Sequence, residues 1–169
     1  MTPALMIILG VILATRIHES ASFTGAADLG TNGEIVFGGA AGIVVASTAA
    51  GPAFEGARIS QGMRAAPGAV DRVSCVDGRL SAHVIGGAAP RGICGSGLVD
   101  AVACGLETGA IAPSGRMAAG DLPVAGPVHL KQADVRELQL AKGAIAAGIH
   151  ILMAQSGRSA ADVGTFHLA

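Results

Sequence analysis

Residues 28–34 read Asp-Leu-Gly-Thr-Asn-Gly-Glu and lie between an apolar run and a run rich in β-branched residues. This pattern predicts a β-strand that ends in an acid and turns back through glycines. A carboxylate at that point can hold Mg²⁺, and the backbone N–H groups of small residues can close around phosphate oxygens. Asn-Gly is also the commonest tight-turn pair, so an ordinary hairpin is the alternative interpretation of the same stretch.

The flanking residues predict a three-stranded antiparallel meander with a helix packed against it. Aliphatic residues cover nearly every side of that helix, which is typical of a helix buried against a sheet. Residues 49–57 contain Gly-Pro and small residues that break both periodicities, and they predict an ordered loop. The helix is predicted at residues 3–18, and the strands at residues 22–29, 34–37 and 42–47.

The second half of the chain predicts a further hairpin, two helices and a final strand. Asp77-Gly78 is a strong hairpin pair between strands at residues 69–76 and 80–85. The helix that follows takes Ser96 as its N-cap and ends near Gly109. A connector at residues 117–127, a long helix at 134–155 and the start of a strand at 165–169 complete the pattern.

The long helix is predicted to begin with a capping box formed by Asp134 and Glu137. Gly143 and Gly148 each weaken a helix by roughly 1 kcal/mol relative to Ala, so they indicate places of close packing. An apolar stripe at helical spacing is formed by Val135, Leu138, Ala141, Ile145, Ile149 and Leu152.

The composition argues against several classes of function. The 169 residues carry a net charge of −1 with no basic cluster, which argues against nucleic-acid binding. The apolar run at residues 4–14 is too short for a membrane span, which needs roughly 20 residues. Cys75, Cys94 and Cys104 lack any Cys-x-x-Cys spacing, so we expect no disulfide framework, zinc site or iron–sulfur cluster within this chain. These features favour a reduced, cytoplasmic protein.

Two segments carry the candidate chemistry. Asp28 is the candidate catalytic and metal-binding residue. An acid at the end of an apolar strand must either face solvent at a functional site or accept hydrogen bonds from its own turn. Glu34 and Glu55 could join it around a metal, or simply face solvent. The second segment begins a helix whose first N–H groups can receive an anion, and it contains Gly95, Ser96 and Gly97.

Other motifs are incomplete or have ordinary explanations. Ser96 lacks the glycines two positions to each side that a hydrolase nucleophile requires, and no Gly-Lys-Ser/Thr follows to make a phosphate loop of the Walker type. Cys94 is most simply a buried or loop cysteine. Arg58, Arg64 and Arg91 could clamp a phosphate or carboxylate, or be solvated. No paired metal-ligand spacing occurs among His18, His83, His129, His150 and His167.

Several motifs in one order resemble the reductive activators of corrinoid proteins. They include Ala-Gly-Pro-Ala-Phe-Glu-Gly at residues 50–56 and Arg-Gly-Ile-Cys-Gly-Ser-Gly-Leu-Val-Asp at residues 91–100. Several motifs of this length in one order are far more specific than any one of them. Together the similar segments cover most of the chain. They lie at residues 13–15, 18–20, 28–37, 50–56, 62–65, 67–69, 91–100, 141–145 and 147–149.

The resemblance implies an α/β fold of the acetate and sugar kinase, heat-shock chaperone and actin superfamily (ASKHA). Such an actin-like, ribonuclease H-like ATPase lobe has a mixed sheet, an antiparallel phosphate hairpin and packing helices. Members of the family couple ATP hydrolysis to reduction of a corrinoid protein from Co(II) to Co(I). Carried onto this sequence, Asp28 would face Mg²⁺, and Gly30, Thr31, Asn32 and Gly33 would cradle phosphate.

The departures from the family pattern limit what this chain is expected to do. A ferredoxin-like [2Fe–2S] domain and a first Asp-x-Gly-Thr hairpin have no counterpart here, and the last strand stops before the expected glycine loop. We therefore expect residues 1–169 to be a single, truncated lobe. Such a lobe would be inactive alone and would expose apolar surface that favours a homodimer.

Two other functions remain open on these residues. A non-catalytic module could dock a corrinoid protein through loops at residues 49–68 and 86–97. The shared superfamily also allows the lobe of a small-molecule kinase.

Overall fold

The computed structural model describes residues 3–169, which separate into two compact units. One unit contains the residues up to Ala50 together with Ala141–Ala169, and the other contains Gly51–Leu140. The helices are α1 (Pro3–Thr15), α2 (Gly95–Glu107) and α3 (Gln132–Ser156). The strands are β1 (Thr24–Leu29), β2 (Gly33–Gly39), β3 (Gly42–Thr48), β4 (Ala69–Val76), β5 (Arg79–Val84), β6 (Gly92–Ile93), β7 (Leu122–Ala125), β8 (Val128–Leu130) and β9 (Thr165–Leu168).

The first unit is built on a four-stranded sheet in the order β3-β2-β1-β9. The predicted meander is confirmed, because β1 to β3 pair antiparallel in sequence. The predicted final strand is also confirmed, and it pairs parallel to β1 with Thr24 opposite Thr165. Strand β1 therefore lies inside the sheet, and Asp28 is near its carboxyl end.

The two faces of this sheet are covered by different helices. On one face Ile8 and Val11 of α1 pack with Ala26 and Val36. On the other face Leu152 and Met153 of α3 pack with Ala27, Ile35 and Phe37. Strand alternation explains the division, because successive side chains of a strand point to opposite faces.

The prediction that the first helix is buried was wrong for much of its surface. Ile8 and Val11 are buried, but Met6 is 54% exposed and Leu13 is 66% exposed. The helix also ends at Thr15, earlier than predicted, because Arg16 adopts a left-handed backbone with φ of 53°. A short 3₁₀ turn at Ile17–Glu19 then leads toward β1.

The two helical glycines of α3 differ in their surroundings. A Cβ on Gly148 would lie 2.5 Å from Cγ2 of Thr48 and 2.7 Å from Cδ1 of Ile35. This contact confirms the close packing predicted for Gly148. A Cβ on Gly143 would meet no atom within 4 Å, so the same prediction for Gly143 was wrong.

The second unit contains a three-stranded sheet in the order β5-β4-β6 and a hairpin of β7 and β8. Asp77 and Gly78 have φ of 50° and 73°, which confirms the predicted tight hairpin turn. The connector predicted at residues 117–127 was wrong in part, because it contains β7. Pro123 hid the alternation of that strand, in which Leu122 and Val124 are buried.

The long helix is confirmed, and it begins at Gln132. Asp134 was predicted at the helix boundary, but it lies inside the first turn. Its carboxylate accepts a hydrogen bond from the backbone N–H of Lys131 at 2.8 Å. Ser60 also donates two hydrogen bonds to this carboxylate, and the side chains of Val135 and Leu138 are buried. These contacts hold the start of the helix within the second unit.

The structure bears on membrane-spanning helices and on cysteine pairing in the part of the chain that it describes. Within residues 3–169, no helix combines the length and the apolar content needed to cross a bilayer. Cys75, Cys94 and Cys104 are free thiols. Cys94 and Cys104 are buried, and burial raises the pKa of the Cys104 thiol.

Candidate functional site

The hairpin between β1 and β2 brings an acid next to an exposed loop. Asp28 lies opposite Glu34 in the antiparallel register, so the two side chains share one face of the sheet. Thr31 and Asn32 are exposed at the tip, and Asp28 is half-buried behind them. The N–H of Gly30 donates to the carbonyl of Asn32 at 3.1 Å, which closes the loop.

The ordinary Asn-Gly turn considered from the sequence does not form. A two-residue turn of type I′ needs positive φ at both residues, and neither Asn32 nor Gly33 has it. Gly33 instead begins β2, and the loop consists of residues 30–32. The small residues of this stretch therefore form a three-residue loop, which is longer than the common two-residue turn.

Gly33 is glycine because of its neighbours. A Cβ there would lie 2.9 Å from Oγ1 of Thr48 and 2.9 Å from Cγ1 of Ile145. The Thr48 hydroxyl donates to the carbonyl of Gly33 at 3.3 Å. The base of the loop is thus packed against both β3 and α3.

Glu34 is buried, with only 2% of its surface exposed. The hydroxyl of Ser47 donates to its Oε1 at 3.2 Å. Of the two outcomes considered for Glu34, the structure excludes a solvent-facing side chain. It places this carboxylate beside Asp28 in the row that runs across β3, β2 and β1.

Within the described residues, no group of three or more His, Cys, Asp or Glu side chains converges as a complete metal-ligand set would. Mg²⁺ does not require such a set, because it is often held by one or two carboxylates, phosphate oxygens and water. The carboxylate of Asp28, beside a loop rich in small residues, fits that manner of binding. Glu55 belongs to the other unit.

The second candidate segment lies at the start of α2, in the second unit. Ser96 was predicted as the N-cap, but the capping position belongs to Cys94, and Ser96 is the second residue of the helix. The reason is a long-range contact, since the Ser96 hydroxyl donates to the backbone carbonyl of Asp71 at 2.7 Å. The groups of this helix start that suit an anion are therefore its backbone N–H groups.

Gly95 and Gly97 permit close backbone approaches at the same helix start. A Cβ on Gly95 would lie 2.0 Å from the carbonyl oxygen of Phe54, and one on Gly97 would lie 2.2 Å from that of Val70. A larger residue at either position would displace the backbone. The two glycines thus have a packing role whether or not an anion binds.

The loops at residues 49–68 and 86–97 meet in the second unit. The N–H of Met63 donates to the carbonyl of Ile93, and the N–H of Ile93 donates to the carbonyl of Gln61, both at 2.9 Å. Beside them is a groove of about 470 Å³ whose lining includes Arg64 and Glu55. Its lining also includes Phe54, Met63, Cys94 and Ser96.

The sequence did not reveal the hydrogen bond between the side chains of Asp71 and His83. Nδ1 of His83 lies 2.6 Å from Oδ1 of Asp71, across β4 and β5. This hydrogen bond lowers the pKa of Asp71. The alternation of β4 and β5 could not have indicated the pair, because His83 lies opposite Arg72 and the pairing shifts between Val70 and Arg72, where Asp71 lies.

Sequence comparison relates this chain to proteins of corrinoid activation. Residues 23–169 match a family model described as the C-terminal domain of RACo, the ASKHA domain. The chain is 39% identical over 164 residues to "Corrinoid activation enzyme RamQ" of Eubacterium limosum, covering 80% of this chain and 28% of that protein. It is 33% identical over 152 residues to "[Co(II) methylated amine-specific corrinoid protein] reductase" of Methanosarcina barkeri, covering 77% and 28% respectively.

A solved structure gives the same relationship. The chain superposes on "Reductive activator for corrinoid,iron-sulfur protein" with a TM-score of 0.85 and 32% identity. The match covers 96% of this chain and 29% of that one. The fold is accordingly that of an ASKHA domain, and the predicted α/β fold class is confirmed. The chain spans less than a third of the length of these relatives.

Proposed function

Because this chain belongs to the family of the C-terminal ASKHA domain of RACo, we propose that it is an ATP-binding lobe of a corrinoid-activating protein. The whole protein would use ATP to drive the reduction of a corrinoid protein from Co(II) to Co(I). One observation carries the proposal. Asp28 lies beside an open loop of small residues, near the end of a strand inside the sheet.

The residues of the hairpin have separate roles in this proposal. Asp28 holds Mg²⁺ and orients it, while Gly30 to Gly33, with Thr31 and Asn32 between them, present backbone N–H groups to phosphate oxygens. ATP supplies the free energy that makes an uphill reduction of the corrinoid possible. Gly95, Ser96 and Gly97 are the second proposed contact for the cofactor, through the N–H groups at the start of α2.

The lobe is proposed to act with other protein segments. The relatives named for corrinoid activation are more than three times as long as the part that aligns here. We therefore expect this chain by itself to bind ATP without turning it over. A corrinoid protein is the proposed partner, a homodimer and a cytoplasmic location remain predictions, and the iron–sulfur electron carrier would lie outside residues 1–169.

The binding role can be tested by calorimetric titration of the purified chain with ATP in the presence and absence of Mg²⁺. We expect Mg²⁺-dependent binding that Asp28→Asn weakens by about 10-fold or more, as for loss of a charged contact. Asp77→Asn is the matched control, because Asp77 lies in an exposed turn where Asn is also favoured. Equal affinity in the wild type and Asp28→Asn would refute the assigned role of Asp28.

Phosphate release gives a second readout from the same samples. We expect none above the background of buffer alone from the wild-type chain. Hydrolysis that depends on Asp28 would contradict the prediction that the isolated chain is inactive, while supporting the assignment of the hairpin.

A docking function has its own support in the second unit. The loops at residues 49–68 and 86–97 are hydrogen-bonded to each other beside one groove. If the chain serves only as a docking module, it should bind a corrinoid protein with no nucleotide present. Pull-down assays with and without ATP, using Arg64→Ala as the groove variant, distinguish this function from the ATP-dependent one.

A further inference from the structure

Thr48, the last residue of β3, contacts both the base of the hairpin loop and helix α3. Its hydroxyl donates to the carbonyl of Gly33 at 3.3 Å. Its methyl group packs against the backbone of Gly148, so closely that a Cβ added to Gly148 would lie 2.5 Å from the methyl carbon. One half-buried side chain therefore uses its polar atom on the hairpin and its apolar atom on the helix.

The two residues that Thr48 contacts in this way, Gly33 and Gly148, are both glycines, and each lacks the side chain that would occupy the space of Thr48. A Cβ on Gly33 would lie 2.9 Å from the Thr48 hydroxyl oxygen, within the distance at which one of the two groups must move. A Cβ on Gly148 would meet the methyl group of Thr48 and also Cδ1 of Ile35. The backbones of β2 and α3 thus approach β3 closely at the point where the loop ends.

We propose that Thr48 is a positioning residue for nucleotide binding, which fixes the loop at residues 30–32 by holding Gly33 against β3 and α3. The proposal deepens the ATP-binding function and rests on it. The Gly33 carbonyl belongs to the first residue after the loop. Holding this carbonyl limits the rotation of the adjoining peptide units, whose N–H groups are the proposed phosphate ligands. An ordered loop binds more tightly because less conformational entropy is lost on binding.

The two parts of the side chain can be separated by substitution. Thr48→Val keeps the shape and the methyl contact with Gly148 but removes the hydroxyl. Thr48→Ser keeps the hydroxyl but removes the methyl group. A purely structural role predicts that Mg·ATP affinity follows the melting temperature in both variants. A positioning role predicts that affinity follows the hydroxyl.

We expect Thr48→Val to weaken Mg·ATP binding by about 3- to 10-fold, the range of one hydrogen bond. Thr48→Ser should bind within about 2-fold of the wild type although its melting temperature falls, because the lost methyl group leaves a packing defect. Affinity that is unchanged in Thr48→Val, or that falls equally in both variants, would overturn the proposal.

Helix α3 supplies a matched pair of glycine variants. Gly148→Ala should displace Thr48 and weaken Mg·ATP binding, while Gly143→Ala should leave affinity unchanged, because a Cβ there meets no atom within 4 Å. Both variants gain the same helix propensity, so that effect cancels between them. Equal affinity in the two variants would contradict the coupling of α3 to the loop.

Amide hydrogen exchange tests the positioning role without any nucleotide. In the ligand-free chain, Thr48→Val should speed the exchange of the amides of residues 30–34, and Thr48→Ser should not. If the wild type fails to bind Mg·ATP while this exchange pattern is found, the proposed function fails and the positioning of the loop by Thr48 stands. Unchanged exchange in Thr48→Val would refute the positioning role itself.

Discussion

Asp134 and Ser60, which are 74 positions apart in the sequence, are joined by two hydrogen bonds. The backbone N–H of Ser60 donates to Oδ1 of Asp134, and its hydroxyl donates to Oδ2, each at 2.7 Å. The backbone N–H of Lys131 donates to the same carboxylate. Asp134 is only 1% exposed, so these donors replace water around a buried acid.

Removing this carboxylate should destabilise the second unit. We expect Asp134→Ala to lower the free energy of unfolding by about 2–4 kcal/mol, because two backbone donors and a hydroxyl lose their acceptor. Ser60→Ala removes one of the bonds and should cost about 1 kcal/mol. Urea denaturation followed by circular dichroism measures both. Asp121→Ala is the control, since Asp121 is 49% exposed and should change stability by less than about 0.5 kcal/mol.

Glu34 and Asp28 should repel each other when no cation is bound. Carboxylates on directly opposite residues have Cβ atoms about 5 Å apart, and like charges there are destabilising. We therefore expect Glu34→Gln, which keeps the shape of the side chain, to raise the free energy of unfolding by about 1 kcal/mol without Mg²⁺. The same variant should be stabilised less by added Mg²⁺ and ATP than the wild type.

Thermal unfolding with and without Mg·ATP checks this prediction, with Ser47→Ala as the control for the hydrogen bond to Glu34. If Glu34→Gln is destabilised as much as Ser47→Ala, then the bond to Ser47 outweighs the repulsion from Asp28, and the prediction is wrong.

The Asp71 and His83 pair should make stability depend on pH in the acid range. The hydrogen bond to His83 lowers the pKa of Asp71 in the folded chain below the unfolded value of about 4. The unfolded state therefore binds more protons there, so the stabilisation is complete above that value and is lost as the pH falls through the folded pKa. We expect Asp71→Asn to flatten the acid limb of the stability curve.

Denaturation measured between about pH 2 and pH 6 tests this dependence. Ser96→Ala is the control, because its hydroxyl contacts the backbone carbonyl of Asp71 and not the carboxylate. It should lower stability by a constant amount while the acid limb keeps its slope. An acid limb that is identical in the wild type and Asp71→Asn would exclude a contribution from this pair.

Local features of the sequence predicted most of the regular structure. The strands around Asp77-Gly78 were predicted almost residue for residue, because the turn pair and the alternation agree. The three strands of the meander that contains Asp28 were also predicted, with bounds that differ from the observed ones by up to two residues. These elements are specified by neighbours in the chain, which a sequence displays directly.

Contacts between distant residues could not be predicted in this way. Ser96 looks like an N-cap, but its hydroxyl bonds to the carbonyl of Asp71, which only the fold brings near. Gly143 and Gly148 look equivalent in the sequence, and the positions of Thr48 and Ile35 in the fold distinguish them. The exposure of Leu13 likewise depends on which parts of the fold cover α1, and the amino-acid composition of the helix does not reveal it.

The candidate site was predicted unevenly for the same reason. The hairpin loop and Asp28 were visible as a motif, whereas nothing in the types of Ser47 and Thr48 marks them as its supports. The alternation of β3 was the available signal, since it places Thr48 on the same face as Val44 and Ala46. Those two residues pack against the buried cluster that includes Leu152 and Met153 of α3.

The parallel pairing of β1 with β9 has a consequence for the newly made chain. The strand that carries Asp28 is synthesised before the segment that separates it from its neighbour at Thr165–Leu168, and that neighbour only after it. Gly51–Leu140 is continuous and can fold in the interval. At about 5–20 residues per second, one edge of β1 has no partner for roughly 7–27 s, and during that time it is open to wrong strand pairing and to chaperones.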